Sequence, residues 1–129
     1  MDLMAIVSLL IFIQYMLFGA QAGLAHGKAK IPAPKMTGEI NLEKRVRIQA
    51  NTTEQMMTFV PAMWMFAHYI HIEAAVALGV SFIIGRQIFA WGYMQEDGAK
   101  RAPGFLITFL AGVITVLGAL GGAIYKLTA

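Results

Sequence analysis

Apolar residues dominate four stretches of the chain, and shorter polar stretches separate them. Residues 3–25 carry no charge, and these 23 residues, at about 1.5 Å each, exceed the roughly 30 Å of a bilayer's hydrocarbon core. Residues 74–93 are interrupted only by Arg86, and residues 104–125 contain no charge. The remaining stretch is most apolar at residues 56–70, and it is long enough to cross only if its helix begins near residue 41. The pattern predicts an all-α membrane protein with four transmembrane helices, at about residues 3–25, 41–68, 73–93 and 104–126.

Helix-breaking residues mark the first and third connections between these helices. Pro32, Pro34 and Gly38 exclude a regular helix from the first connection, and Gly98 and Pro103 mark the third. The second connection, near residues 68–72, is very short, so the helices on either side of it should pair antiparallel. We therefore expect one up-down antiparallel bundle in a single domain, residues 1–129.

The first apolar stretch has a competing interpretation as a cleavable signal peptide. Ala20-Gln21-Ala22 has the small-x-small form of a cleavage site. However, Met1-Asp2 lacks the basic residues that open a signal peptide, and the apolar run is longer than such a peptide needs. We expect a membrane span.

Composition agrees with a membrane protein and limits its chemistry. Of all residues, 58% are hydrophobic and only 13% are charged. The chain has no cysteine, so any thiol chemistry needs a thiol from a ligand. His68, His71 and Glu73 do not have a recognised zinc spacing, and we expect no metal site.

Basic residues are distributed asymmetrically among the connections. Nine of the ten lysines and arginines lie in or near the first and third connections, and only Lys126 lies on the other side. The positive-inside rule therefore places these two connections in the cytoplasm and both termini outside. The pI near 9.4 follows from this asymmetry, so we interpret it as contact with anionic lipids and not as nucleic-acid binding.

Polar side chains follow one face of the second predicted helix. They are Glu43, Arg47, Asn51 and Glu54, spaced i, i+4, i+8 and i+11. Charged groups at membrane depth are expensive, and they are kept mainly where they pair or bind something. Two interpretations stay open: ion pairs and anchors among the lipid headgroups, or one wall of a binding cleft.

A second stripe approaches the same membrane face. Arg86, Phe89 and Tyr93 are spaced i, i+3 and i+7 on the third helix, and Arg101 lies just beyond that helix. Guanidinium groups bind carboxylates, and Glu54 can pair with an ammonium group, so a cleft between the stripes suits a small zwitterionic peptide. If that peptide carries a thiol, Arg101 favours its nucleophilic thiolate form.

These stripes, with Arg86-Gln87-Ile88-Phe89-Ala90-Trp91-Gly92-Tyr93 and Lys100-Arg101-Ala102-Pro103-Gly104-Phe105, resemble the MAPEG family, the membrane-associated proteins in eicosanoid and glutathione metabolism. The likeness covers nearly the whole chain in length and span order. It implies a left-handed four-helix bundle, assembled as a homotrimer, with three glutathione sites at the subunit interfaces. By position, the glutathione-binding residues would be Arg47, Gln49, Asn51, Glu54, Arg86 and Tyr93, and the residue that activates the glutathione thiol would be Arg101.

The chain departs from the family pattern near this expected site. Gln55 and Phe89 stand where a family member has tyrosines that contact glutathione. The spacing from Tyr93 to Arg101 is one residue longer than in that member. Lys100 is therefore a rival of Arg101 for the thiol-activating role.

Two further features bear on the resemblance. Gly27 stands where a member supplies a basic residue after its first helix, and Lys28 and Lys30 are the candidates to replace it. The short chain and the segment Asn51-Thr52-Thr53-Glu54-Gln55 look like bacterial members. We therefore expect a multi-pass protein of a bacterial inner membrane.

The resemblance implies a glutathione-dependent transferase or peroxidase, which uses glutathione as co-substrate to conjugate or reduce lipophilic electrophiles. The alternative is a non-catalytic lipid-binding or scaffold protein, because the family includes a member that presents lipid without conjugating it. The expected partners are further copies of this chain, membrane lipids and a lipophilic small molecule.

Overall fold

The computed structural model describes residues 1–129 as four α-helices and one 3-10 turn. The helices are α1 (Asp2–Ala29), α2 (Ile40–Tyr69), α3 (Ile72–Tyr93) and α4 (Ala102–Thr128), and the turn, Gly98–Arg101, leads into α4. The expected all-helical fold with four helices is confirmed. α1 continues four residues past the expected end at residue 25, because no proline occurs before Pro32.

Side chains at the helix starts explain where α2 and α3 begin. The Glu39 carboxylate accepts hydrogen bonds from two backbone N–H groups in the first turn of α2, at 3.0 and 2.8 Å. His71 Nδ1 accepts the N–H of Ala74 at 3.3 Å. Each cap satisfies donors that have no partner inside the helix, so only Ile70 and His71 are needed to join α2 to α3.

Hydrogen bonds at both ends show that α1 and α2 run antiparallel. Trp64 Nε1 donates to Ser8 Oγ at 2.9 Å, and Arg45 Nη1 donates to Gln21 Oε1 at 3.0 Å. α2 and α3 are the central helices, since α1 and α4 each pack against both of them and not against one another. The first and third connections therefore lie together at one end of the bundle.

The main apolar core is formed mostly by α1, α2 and α3, and α4 adds Ala111 and Ala119. The rings of Phe59 and Phe82 stack with their centres 4.4 Å apart. Met4, Ile11 and Met63 are fully buried in the same cluster. This packing fixes the helices against one another. A second, smaller cluster, of Phe18, Ile48, Phe89 and Ala90, lies nearer the end that holds the first and third connections.

By length and composition, three segments are apolar enough to cross a membrane: Asp2–Ala29, Ile72–Tyr93 and Gly98–Thr128. α2 is the longest helix, with 30 residues, but its first half carries charged residues from Glu43 to Glu54. The fourth membrane crossing, by α2, therefore stays a prediction.

Candidate functional site

Two glycines allow the third connection to fold tightly against α3. A Cβ on Gly104 would overlap the backbone nitrogen of Phe89 and lie 2.6 Å from the carbonyl oxygen of Gly85. A Cβ on Gly92 would overlap the carbonyl of Lys100. Because these backbones touch, the 3-10 turn is held beside the last turn of α3.

This tight junction brings a cation and a phenol together. Arg101 is the last residue of the 3-10 turn, and its guanidinium carbon lies 5.0 Å from the centre of the Tyr93 ring. An arginine over a tyrosine ring is attracted by the ring's negative face. Arg101 itself is exposed, so its guanidinium group is available to a ligand.

A cavity of about 540 Å³ opens at this junction, between α2, α3 and the start of α4. It brings together four of the predicted site residues, Arg47, Asn51, Tyr93 and Arg101. The rest of its lining is apolar or backbone, from Phe89, Gly98, Ala99, Ala102 and Phe105. Two guanidinium groups, an amide and a phenol thus converge on a space large enough for a small peptide.

Arg86 lies behind the wall of this cavity, completely buried. Its Nη1 donates to Asn51 Oδ1 at 2.7 Å and to Thr52 Oγ1 at 3.4 Å, and its Nη2 donates to Thr108 Oγ1 at 2.8 Å. Its guanidinium carbon lies 4.2 Å from the centre of the Phe89 ring. Arg86 does not line the cavity, but it contacts two residues that do, Asn51 and Phe89.

Two other predicted residues of α2, Gln49 and Glu54, face away from this cavity. Gln49 faces α1, in a depression that also contains Gly19 and Gly23. Glu54 is exposed at the side of α2 that faces α4. Within one chain, the predicted glutathione-binding residues are therefore divided among three surfaces and the buried position of Arg86.

The basic residues that rival or supplement Arg101 lie elsewhere. Lys100 Nζ lies 6.0 Å from the centre of the ring of Trp91, an exposed residue, and Lys100 does not line the cavity. Lys28 and Lys30 are exposed beyond the cavity, and Lys30 borders a separate depression with Pro32. Arg101 is thus the one of these four that lies on the cavity wall.

An apolar groove of about 470 Å³ runs between α2 and α4 beside the cavity. The rings of Phe105, which lines the cavity, and Phe109, which lines the groove, stack with their centres 6.0 Å apart. Glu54 and Gln55 lie in the groove lining. Its other lining residues are Thr58, Phe59, Phe109, Gly112, Val113, Val116 and Leu117.

Sequence reasoning missed the two hydroxyl groups that bind Arg86, those of Thr52 and Thr108. Both threonines are buried, at 1% and 0% exposure. A signal for Thr108 existed in the sequence, since the small residues Gly104, Thr108, Ala111 and Thr115 repeat at i, i+4, i+7 and i+11 along the helix. Such a stripe of small residues indicates the face on which α4 packs.

Comparison with known proteins gives consistent matches over most of the chain. The sequence model of the MAPEG family matches residues 4–121. Microsomal glutathione S-transferase 2 of Homo sapiens is 37% identical over 120 residues, which cover 92% of this chain and 81% of the relative. An uncharacterized protein of Synechocystis, sll1147, is 35% identical over 123 residues, covering 95% and 89%. Leukotriene C4 synthase of Cavia porcellus is 27% identical over 119 residues, covering 92% and 79%.

Proposed function

The chain belongs to the MAPEG family, and on this basis we propose that it is a glutathione-dependent membrane transferase or peroxidase that acts on lipophilic electrophiles. It is an integral membrane protein, because the family match joins three helices that are apolar enough to cross a membrane. Two similar proteins bear the names microsomal glutathione S-transferase 2 and leukotriene C4 synthase.

The cavity of Arg47, Asn51, Tyr93 and Arg101 is the observation that carries this proposal. Glutathione is a small peptide with two carboxylates, and guanidinium groups bind carboxylates through paired hydrogen bonds. The chain has no cysteine, so the thiol must belong to the ligand. The guanidinium groups that can bind carboxylates and the absence of a protein thiol both suit glutathione as co-substrate.

Arg101 is the residue we assign to thiol activation. A guanidinium group beside the glutathione sulfur stabilises the thiolate, which is the nucleophile. In conjugation, the thiolate sulfur forms a bond to an electrophilic carbon, and the displaced electron pair leaves with the leaving group. In peroxide reduction, two glutathione molecules supply two electrons and two protons, the O–O bond breaks, and a disulfide, an alcohol and water form.

We further propose that the complete site forms between subunits of a homotrimer. Glu54 is exposed and Gln49 half-buried on surfaces other than the cavity, so a second copy can present one of them to the ligand held by the first. An interface also shields charged groups from lipid, which lowers their cost at membrane depth. In this arrangement the first and third connections face the cytoplasm of a bacterial cell.

The apolar groove beside the cavity is the proposed place for the lipophilic electrophile. The Phe105 and Phe109 rings bridge the two spaces, so an apolar chain in the groove can end near Arg101. Membrane lipids cover the other apolar surfaces, such as the exposed Leu9 and Leu17 of α1.

Equilibrium dialysis of labelled glutathione against the detergent-purified protein tests the proposal. Binding at millimolar ligand or below, with one site per cavity, supports it. Absence of binding at millimolar glutathione contradicts it and favours the alternative, a non-catalytic lipid-binding protein that uses the apolar groove alone.

A further inference from the structure

Arg86 connects the cavity wall on α2 to a buried hydroxyl group on α4. Asn51, on α2, lines the cavity, and it accepts a hydrogen bond from Arg86 Nη1 at 2.7 Å. Thr108, on α4, does not line the cavity, and it accepts from Arg86 Nη2 at 2.8 Å. One buried guanidinium group therefore spans three helices.

The direction of each hydrogen bond in this chain is determined by chemistry. Arginine has donors only, so the Asn51 atom that meets Arg86 must be the amide oxygen. Thr108 donates its own hydrogen to a carbonyl of α4, that of Gly104 at 3.2 Å or Phe105 at 3.1 Å. Its lone pair is therefore free to accept from Arg86.

The hydrogen bond to Arg86 holds the Asn51 amide oxygen in place, and this also fixes the position of the Asn51 NH2 group. Free asparagine presents either its oxygen or its NH2 group, because the amide turns about its terminal torsion angle. Here the oxygen of Asn51 is held by Arg86, and the NH2 group remains as the donor that the side chain can offer to the cavity. Together with Arg47 and Arg101, this gives a cavity wall whose side chains present mainly hydrogen-bond donors.

We propose that Arg86 and Thr108 are positioning residues, which hold Asn51 so that its NH2 group donates to a carboxylate or carbonyl oxygen of the bound peptide. The cavity consequently selects ligands that are rich in acceptors. This inference rests on the proposed function, and it assigns Arg86 a role through Asn51 in place of direct contact with the ligand.

Substitutions of two buried threonines on α4 test whether Thr108 and Arg86 position Asn51. Thr108→Val removes the acceptor of Arg86 with little change in volume, and we expect it to raise the Kd for glutathione by about 3- to 10-fold, the usual effect of one hydrogen bond. Thr108→Ser keeps the hydroxyl group and should restore the affinity. Thr115→Val is the control, because Thr115 is equally buried on α4 but bonds only to its own helix, at Ala111 O.

A double-mutant cycle separates positioning from general loss of structure. If Thr108 acts through Asn51, then Thr108→Val has no further effect on the Kd once Asn51→Ala is present. An equal further loss in that background would overturn the inference, and so would a Thr115→Val effect as large as that of Thr108→Val. No glutathione binding to the unmodified protein overturns the proposed function and this inference together. Binding to it with an unchanged Kd in Thr108→Val overturns the inference alone.

Discussion

The guanidinium carbon of Arg101 lies 5.0 Å from the centre of the Tyr93 ring, although an irregular connection separates the two residues in sequence. The neighbouring ring of Phe89 lies 5.4 Å from that of Tyr93 and 4.2 Å from the guanidinium carbon of Arg86. Each of the two rings thus packs against one arginine. Arg101 faces the cavity, and Arg86 is buried behind it.

The backbone contact at Gly104 should be necessary for this arrangement. Gly104→Ala forces the start of α4 away from α3, and we expect a loss of about 1–3 kcal/mol in stability, the usual cost of overpacking. Thermal unfolding in detergent measures it. Gly121→Ala on the same helix is the control, since its added Cβ meets no atom within 4 Å. Equal melting temperatures for the two variants would contradict the proposed contact.

Arg47 should bind a carboxylate of the ligand. Arg47→Ala should raise the Kd for glutathione by roughly 10- to 100-fold, because charge-assisted hydrogen bonds are lost. Dialysis with labelled glutathione gives the value. Arg45→Ala is the control, because it removes the same charge two residues away from Arg47. Arg45 bonds to Gln21 outside the cavity, so the Kd of this variant for glutathione should equal that of the unmodified protein. Similar losses in both variants would show a general effect of charge.

Mixed trimers test whether the site lies between subunits. If Gln49 reaches the ligand from a neighbouring copy, then mixing equal amounts of Arg47→Ala and Gln49→Glu subunits should regenerate intact sites. Each intact site needs Arg47 from one subunit and Gln49 from its neighbour, so about a quarter of the sites should be intact. Counting high-affinity sites per trimer provides the readout. A mixture of Arg47→Ala and Arg101→Ala is the control and should regenerate none, since both arginines line one chain's cavity. Equal recovery in the two mixtures would refute the interface.

Filling the apolar groove should slow the reaction with large electrophiles and not with small ones. Val116→Phe places a ring in the groove, and we expect at least about a 10-fold loss of kcat/KM with a long-chain electrophile, with the glutathione Kd unchanged. A small electrophile should lose less than about 2-fold. Leu120→Phe, on the exposed side of α4, is the control. Losses that do not depend on substrate length would remove the groove from the mechanism.

The fold was accessible from sequence because long uncharged stretches and prolines leave few alternatives. Residues 3–25 had to be helical in a membrane, and Pro32 and Pro34 excluded a regular helix from the first connection. The length of α1 was underestimated, because its end was placed where the apolar stretch stops at residue 25, whereas the helix continues to Ala29. Hydropathy does not identify α2 as a membrane span, because the charged residues that suggest function lie in its first half.

The site was accessible only in part. Helical spacing predicted Arg47, Asn51 and Glu54 on one face of α2. Arg47 and Asn51 line the cavity with Tyr93 and Arg101, whereas Glu54 lies in the apolar groove. Position in the chain placed Arg86 inside the third helix, but it did not identify Thr108 as the hydrogen-bond partner of Arg86. Those contacts depend on how closely α4 approaches α3, and that distance is set by Gly104 and Gly85 in three dimensions.

Formation of the glutathione thiolate is the first step of the proposed chemistry, and its ultraviolet absorbance can be measured directly. Titration of glutathione into the purified protein at neutral pH should produce the ultraviolet thiolate band, because the cavity stabilises the anion. Arg101→Ala should abolish the band while dialysis still detects bound glutathione, and Lys100→Ala should keep it, since Lys100 does not line the cavity. An undiminished thiolate band in Arg101→Ala would contradict the role assigned to Arg101 and with it the proposed activation of the thiol.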